Sequence, residues 1–210
     1  MITEAALRRL LIDTGATIHR RGLTHGRTGN LSVRTATGCL VTPTGRSLGD
    51  LQADELSLLD LDGRHRAGPS PTKEAFLHLA ILRSRPDVGA VVHTHSTAAT
   101  AVSCLHDLDP VAAIPPLTAY FAMRVGAVAL LPYARPGDPA LESVITEVAG
   151  THSALLLRNH GPVVAGPDLP TALDALEELE HAAEIFLRLA PFQDRIGLAG
   201  IPASNQETMA

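Results

Sequence analysis

Short apolar runs separated by tight turn signals alternate with amphipathic helical stretches, and this alternation most constrains the fold. Leu31-Ser-Val33 and Cys39-Leu-Val41 flank Thr37-Gly38, the pattern of two strands joined by a turn. Leu56-Ser-Leu-Leu59 runs into Asp60-Leu-Asp-Gly63, and Ala154-Leu-Leu-Leu157 leads through Arg158-Asn-His-Gly161 to a hairpin partner at Val163-Val-Ala165. Hairpins exclude an all-parallel sheet, whose neighbouring strands need long crossovers. Val88–His93 and Ala127–Leu131 read as buried strands. A helix is expected over residues 4–21, with Leu7, Leu10, Leu11, Thr14 and Ile18 on one face and Gly22 as its stop. Ser70-Pro71 is expected to cap and open a second helix that Arg85-Pro86 ends. A third follows Asp138-Pro139 and stops at Gly150, and a fourth runs from about residue 169 to 190. Helices and strands thus intermix around one core, which predicts a layered α/β domain with a mixed, largely antiparallel sheet.

The length of 210 residues suits one domain, placed at residues 1–190. Residues 191–210 lack periodicity and read as a C-terminal tail or an arm lying on a neighbour. Seventeen Lys and Arg against 22 Asp and Glu leave a net charge of -5, so neither nucleic acid nor an anionic membrane is an expected partner. Phosphate recognition must then be local. Cys39 and Cys104 are isolated, which argues against a disulfide framework or a thiolate metal knuckle and for reduced, buried thiols. Glu4, Arg8, Arg9 and Asp13 interrupt the N-terminus where a signal peptide would be apolar, and no stretch is apolar enough to span a bilayer. A cytoplasmic location is expected.

Ten histidines outnumber the four Phe and two Tyr. Two of them form His93-Thr-His95 where a buried strand ends, and the period of two sends both imidazoles to one face, as chelation requires. Two histidines hydrogen-bonded at a sheet edge read the same way. His160 lies at a second strand exit, and three neutral imidazoles with an open position describe a catalytic zinc site. Glu74, in the first turn of the helix just upstream of the first of these strands, is the candidate acid/base group, although on sequence physics alone the helix dipole explains a glutamate there better than catalysis does. His25, His78 and the remaining histidines read as solvated or internally satisfied. Gly26-Arg-Thr-Gly-Asn30 and Thr42-Pro-Thr-Gly45 are glycine-bearing turns that can receive an anion, and Thr72 and Lys73 would add to them from a helix N-terminus. Read singly, each is a turn or a cap.

In order, Gly29-Asn-Leu-Ser32, Thr42-Pro-Thr-Gly45, Pro71-Thr-Lys-Glu74, Val91-Val-His-Thr-His95 and Asn159-His-Gly161 resemble the motifs of the class II aldolase/adducin family over about residues 4–190. That resemblance implies an α/β/α sandwich on a mainly antiparallel sheet. It implies zinc on His93, His95 and His160, and Glu74 as acid/base. It also implies a phosphate cradle of Gly29, Asn30, Thr44, Gly45, Thr72 and Lys73, and a homotetramer with the site near the subunit boundary. Within the family, Pro115–Tyr120, Met123–Gly126 and Leu131–Pro139 look most like the enzymes that decarboxylate 3-oxo-tetronate 4-phosphate to dihydroxyacetone phosphate and carbon dioxide through a metal-stabilised enediolate. Tyr120, from its own or a neighbouring subunit, is a candidate proton donor, or else an interface or core aromatic. Thr72-Lys73 stands where the fuculose-phosphate aldolases carry two serines. Sugar-phosphate aldolases, 4-epimerases and the non-catalytic adducin head domain are the alternatives within the same fold.

Overall fold

The computed structural model describes residues 2–191. An opening helix α1 (Glu4–Arg20) is followed by strands β1 (Asn30–Thr35), β2 (Gly38–Val41), β3 (Ser57–Leu59) and β4 (His65–Ala67). Then come α2 (Ala75–Ser84), β5 (Ala90–His93), α3 (Thr97–Ser103), α4 (Ala119–Arg124), β6 (Val128–Leu131), α5 (Glu142–Ala149), β7 (Ala154–Leu157), β8 (Gly161–Gly166) and α6 (Leu169–Leu189). The strands form one sheet in the order β4-β3-β2-β1-β5-β8-β7-β6. Every neighbouring pair is antiparallel except β6 and β7, which α5 connects as a crossover.

Alternation along the strands builds two cores, one on each face. Leu31 and Val33, Ala90 and Val92, and Ala154 and Leu156 pack with α1, α3, α4 and α6. Val91, Leu155, Leu157, Val163 and Ala165 pack on the other face with α2 and α5. The result is the expected three-layer α/β/α sandwich around a mixed, mainly antiparallel sheet. Among the described residues, no helix is long and apolar enough to cross a membrane.

Two expectations need correction. The second helix begins at Ala75, not at Pro71. Pro71 instead forms an isolated bridge with Pro43, the Thr72 N–H donates to the Thr42 carbonyl at 3.0 Å, and the Thr44 N–H donates to the Ser70 carbonyl at 3.1 Å. Pairing of residues 70–72 with 42–44 satisfies backbone groups that a helix start would leave open. The helix still ends at Arg85, whose extended backbone suits the following proline. Cys104 is exposed, although Cys39 is buried as expected and burial pushes its thiol up to about 12. Short β4, α3 and α4 carry too little periodicity to read from sequence. The tail at 191–210 lies, beyond Pro191, outside the described residues.

Candidate active site

The site forms where β5 ends beside the β7–β8 turn. β5 pairs antiparallel with β8, setting His93 opposite Val163, so the end of one strand meets the start of the other. Asn159 makes the turn with a left-handed backbone (φ 57°), a conformation asparagine tolerates better than most residues. The His93 Nδ1–H donates to the Pro162 carbonyl at 2.8 Å, which fixes the ring with its Nε2 turned toward the other imidazoles. That Nε2 lies 3.3 Å from His160 Nε2, which lies 3.0 Å from His95 Nε2. A tetrahedral ion with bonds of about 2.0–2.1 Å separates its ligands by roughly 3.3–3.4 Å; the two separations from His160 come near that spacing, and all three donor atoms lie within 4.8 Å of one another, a group that could hold an ion. Burial, with His93 nearby, pushes His95 and His160 down to about 4, so both are neutral donors at neutral pH.

Glu74 completes the cluster. It occupies the N-cap position of α2 but makes no capping bond to that helix. Its carboxylate turns to the imidazoles instead, with Oε2 3.4 Å from His93 Nε2 and Oε1 3.3 Å from His160 Nε2. The helix dipole therefore does not account for where its oxygens point. Burial opposes ionisation of Glu74, but His93 and a hydrogen bond from Asn30 Nδ2 at 2.8 Å outweigh it, holding the carboxyl below its usual range. Behind Asn30, His78 Nε2 lies 2.5 Å from Asn30 Oδ1, and His78 Nδ1 lies 2.8 Å from Ser32 Oγ.

Two lobes of a cleft meet at His95, His160 and Pro136. The smaller, about 190 Å³, brings together Gly29, Asn30, Thr44, Gly45, Thr72, Lys73 and Glu74, the residues that the sequence suggested for the anion together with the first of its two acid/base candidates, with Arg27 and Thr28 added. Gly29 is required where it stands: its φ is +80°, and a Cβ there would come within 2.9 Å of the His93 carbonyl oxygen. Thr72 and Lys73 reach this lobe from the bridge-and-turn segment before α2, not from its first helical turn. The larger lobe, about 560 Å³, is lined by His25, Thr97, Thr100, Ala101, Tyr133 and Asn159 among others. Sequence reasoning missed His25 and Tyr133. His25 adjoins the first glycine turn and its ring packs edge-on to His95, and Tyr133 lies inside the Leu131–Pro139 segment, so proximity to those motifs was the available signal.

Tyr120 lines neither lobe. It is exposed on α4, with the Arg124 guanidinium 5.4 Å from its ring centroid.

The model of the class II aldolase and adducin N-terminal domain matches residues 9–187. The chain belongs to the class II aldolase and adducin family. It is 47% identical over 189 residues to a 3-oxo-tetronate 4-phosphate decarboxylase of Haemophilus influenzae, covering 90% of each chain. It is 35% identical over 190 residues to an L-fuculose phosphate aldolase of Escherichia coli, covering 90% of this chain and 86% of the relative. The solved structure of YgbL from Klebsiella pneumoniae superposes with a TM-score of 0.88 at 43% identity, covering 90% of this chain and 92% of that one. With such relatives the family member described here is an enzyme of the carbon–carbon lyase kind.

Proposed function

We propose that the protein is a zinc-dependent decarboxylase converting 3-oxo-tetronate 4-phosphate to dihydroxyacetone phosphate and carbon dioxide. The observation carrying this reading is the convergence of three imidazole nitrogens and an ionised Glu74 at the junction of a roomy lobe and a lobe that holds Arg27 and Lys73. Identity of 47% to a decarboxylase, against 35% to an aldolase, favours loss of carbon dioxide over aldol cleavage.

In this reading His93, His95 and His160 hold the ion, with zinc preferred for three nitrogen donors and other divalent metals accepted by the same set. When bound, zinc supplies Lewis-acid stabilisation of the negative charge left on the substrate when its carboxylate departs. Gly29, Asn30, Thr44, Gly45, Thr72 and Lys73 receive the phosphate, aided by Arg27. The backbone N–H groups of Thr44 and Thr72 are spent on Ser70 and Thr42, so these threonines offer hydroxyls and the cations offer charge. Asn30 occupies Glu74 Oε2, which leaves Oε1 as the oxygen that takes a proton from the substrate hydroxyl. The carbon that carried the carboxylate takes one proton, which Glu74 is the group placed to deliver, and the hydroxyl regains its own from water, so that one solvent proton is consumed for each carbon dioxide released. Tyr120 serves as a second donor only from a neighbouring subunit, which fits a homotetramer; the exposed Tyr120 and Met123 on α4 support such an interface.

The test is carbon dioxide release from 3-oxo-tetronate 4-phosphate by zinc-loaded protein, with L-fuculose 1-phosphate as the parallel substrate. Clear turnover of the oxo acid supports the proposal. Cleavage of the fuculose phosphate with no carbon dioxide release would replace it with the aldolase reading.

A further inference from the structure

Four polar side chains run inward from the cleft as one buried line: Glu74, Asn30, His78 and Ser32. The fold explains why they meet. Asn30 and Ser32 are two residues apart on β1, opposite His93 and Val91 of β5, so they share the sheet face on which α2 packs. His78 lies one helical turn after Glu74 on α2 and is fully buried between them. The line allows only one direction of hydrogen bonding. An ionised Glu74 can only accept, so the Asn30 group facing it at 2.8 Å must be the NH2. Asn30 Oδ1 then faces His78 Nε2 at 2.5 Å, which must carry the proton. A neutral His78 has a bare Nδ1, and the Ser32 hydroxyl 2.8 Å away must donate to it. Burial, the larger cause, and the neighbouring His93 push His78 down to about 3, which keeps it neutral.

We propose that His78, set in its Nε2–H tautomer by Ser32, is a positioning residue that locks the Asn30 side-chain amide so that its NH2 always faces Glu74. Without that lock the amide can rotate by half a turn, placing its carbonyl oxygen against the carboxylate and turning an attraction into a repulsion. The same amide lines the anion-binding lobe, so its orientation also sets what it offers a bound phosphate. The activity arm of the test rests on the decarboxylase reading; the tautomer arm does not.

The experiment compares wild type, His78→Gln, His78→Phe and Ser32→Ala as zinc-loaded proteins. Glutamine keeps a donor toward Asn30 and an acceptor toward Ser32, whereas phenylalanine keeps shape alone. His78→Phe is expected to lose about 10- to 100-fold in kcat, the usual cost of removing a supporting hydrogen-bond partner. Its zinc content should stay near wild type, any rise in KM should be smaller than the loss in kcat, and His78→Gln should recover most of the loss. Nitrogen-15 NMR of histidine-labelled wild type should show His78 as the Nε2–H tautomer, with Ser32→Ala mixing in the other. Full kcat in His78→Phe, equal losses in His78→Gln and His78→Phe, or an Nδ1–H tautomer in wild type would each overturn the proposal. If His78→Phe does not fold, Ser32→Ala decides: an unchanged tautomer with unchanged kcat overturns the lock. Should wild type release no carbon dioxide, the function reading fails while the NMR arm still judges His78.

Discussion

Glu74 is held from one side by Asn30 and faces two imidazoles on the other, so its charge and its aim are both set before substrate arrives. Glu74→Gln keeps the shape and removes the base. Its kcat should fall by about 10²–10⁴, the usual worth of a positioned acid/base group, while zinc content and inorganic phosphate binding remain. Stopped-time assays of carbon dioxide release beside metal analysis check this, and near-normal kcat would remove Glu74 from the reaction. Gly29→Ala meets both a left-handed backbone and the His93 carbonyl. Strain of this sort costs of order 1–3 kcal/mol, so a lowered Tm and weaker phosphate binding are expected, measured by thermal melts and calorimetry. At this scale the sequence was most informative for His93, His95 and His160. Their spacing and strand exits announced convergence, whereas His78 gave no signal, because a buried relay depends on which helix covers β1.

The elements that carry these residues are anchored from outside the site. Ser96 starts α3 directly after His95, and Glu180 on α6 accepts from the Ser96 hydroxyl at 2.7 Å and from the N–H groups of Ala98 and Ala99 at 2.7 and 2.9 Å. A carboxylate from a distant helix thus does the work of a local N-cap. Glu180→Ala leaves those donors unpaired and should cost about 2–4 kcal/mol. It should also loosen His95 enough to weaken zinc binding by about 10-fold or more. Denaturant melts and competitive metal titration measure the two effects; unchanged zinc affinity in a folded variant would show that α3 does not set His95. None of this was legible along the chain, since Glu180 looks like any solvated glutamate on an amphipathic helix. The start of α2 was misread for a related reason: Ser70-Pro71 has good capping chemistry, but pairing with Thr42–Thr44 outcompetes it, and that competitor lies nearly thirty residues away in sequence.

At the scale of the molecule, strand alternation and hairpin turns foretold the layered sheet well, because each strand's two faces feed two different cores. Long periodic helices such as α1 and α6 were equally clear, whereas the order of strands was not, since pairing of β1 with β5 joins segments about sixty residues apart. A site built from donors that the fold brings together should bind metal in the folded state alone. Zinc at about 100 times its Kd then adds roughly 2.7 kcal/mol, or about 5–10 °C in Tm for a chain of this size. Calorimetric scans with and without chelator test this, and identical melts would argue that the three imidazoles take no ion.

β5 lies inside the sheet, with β1 on one side and β8 on the other. Its amides are therefore expected among the slowest to exchange with solvent deuterium, released only by opening of the whole molecule. His93 is the last residue of that strand, and its ring is pinned to the Pro162 carbonyl through Nδ1, the nitrogen that faces away from the other imidazoles. If the three imidazoles hold an ion as proposed, the socket should outlast its occupant: metal is expected to leave and return, or be swapped for another, on the timescale of ligand exchange and without refolding.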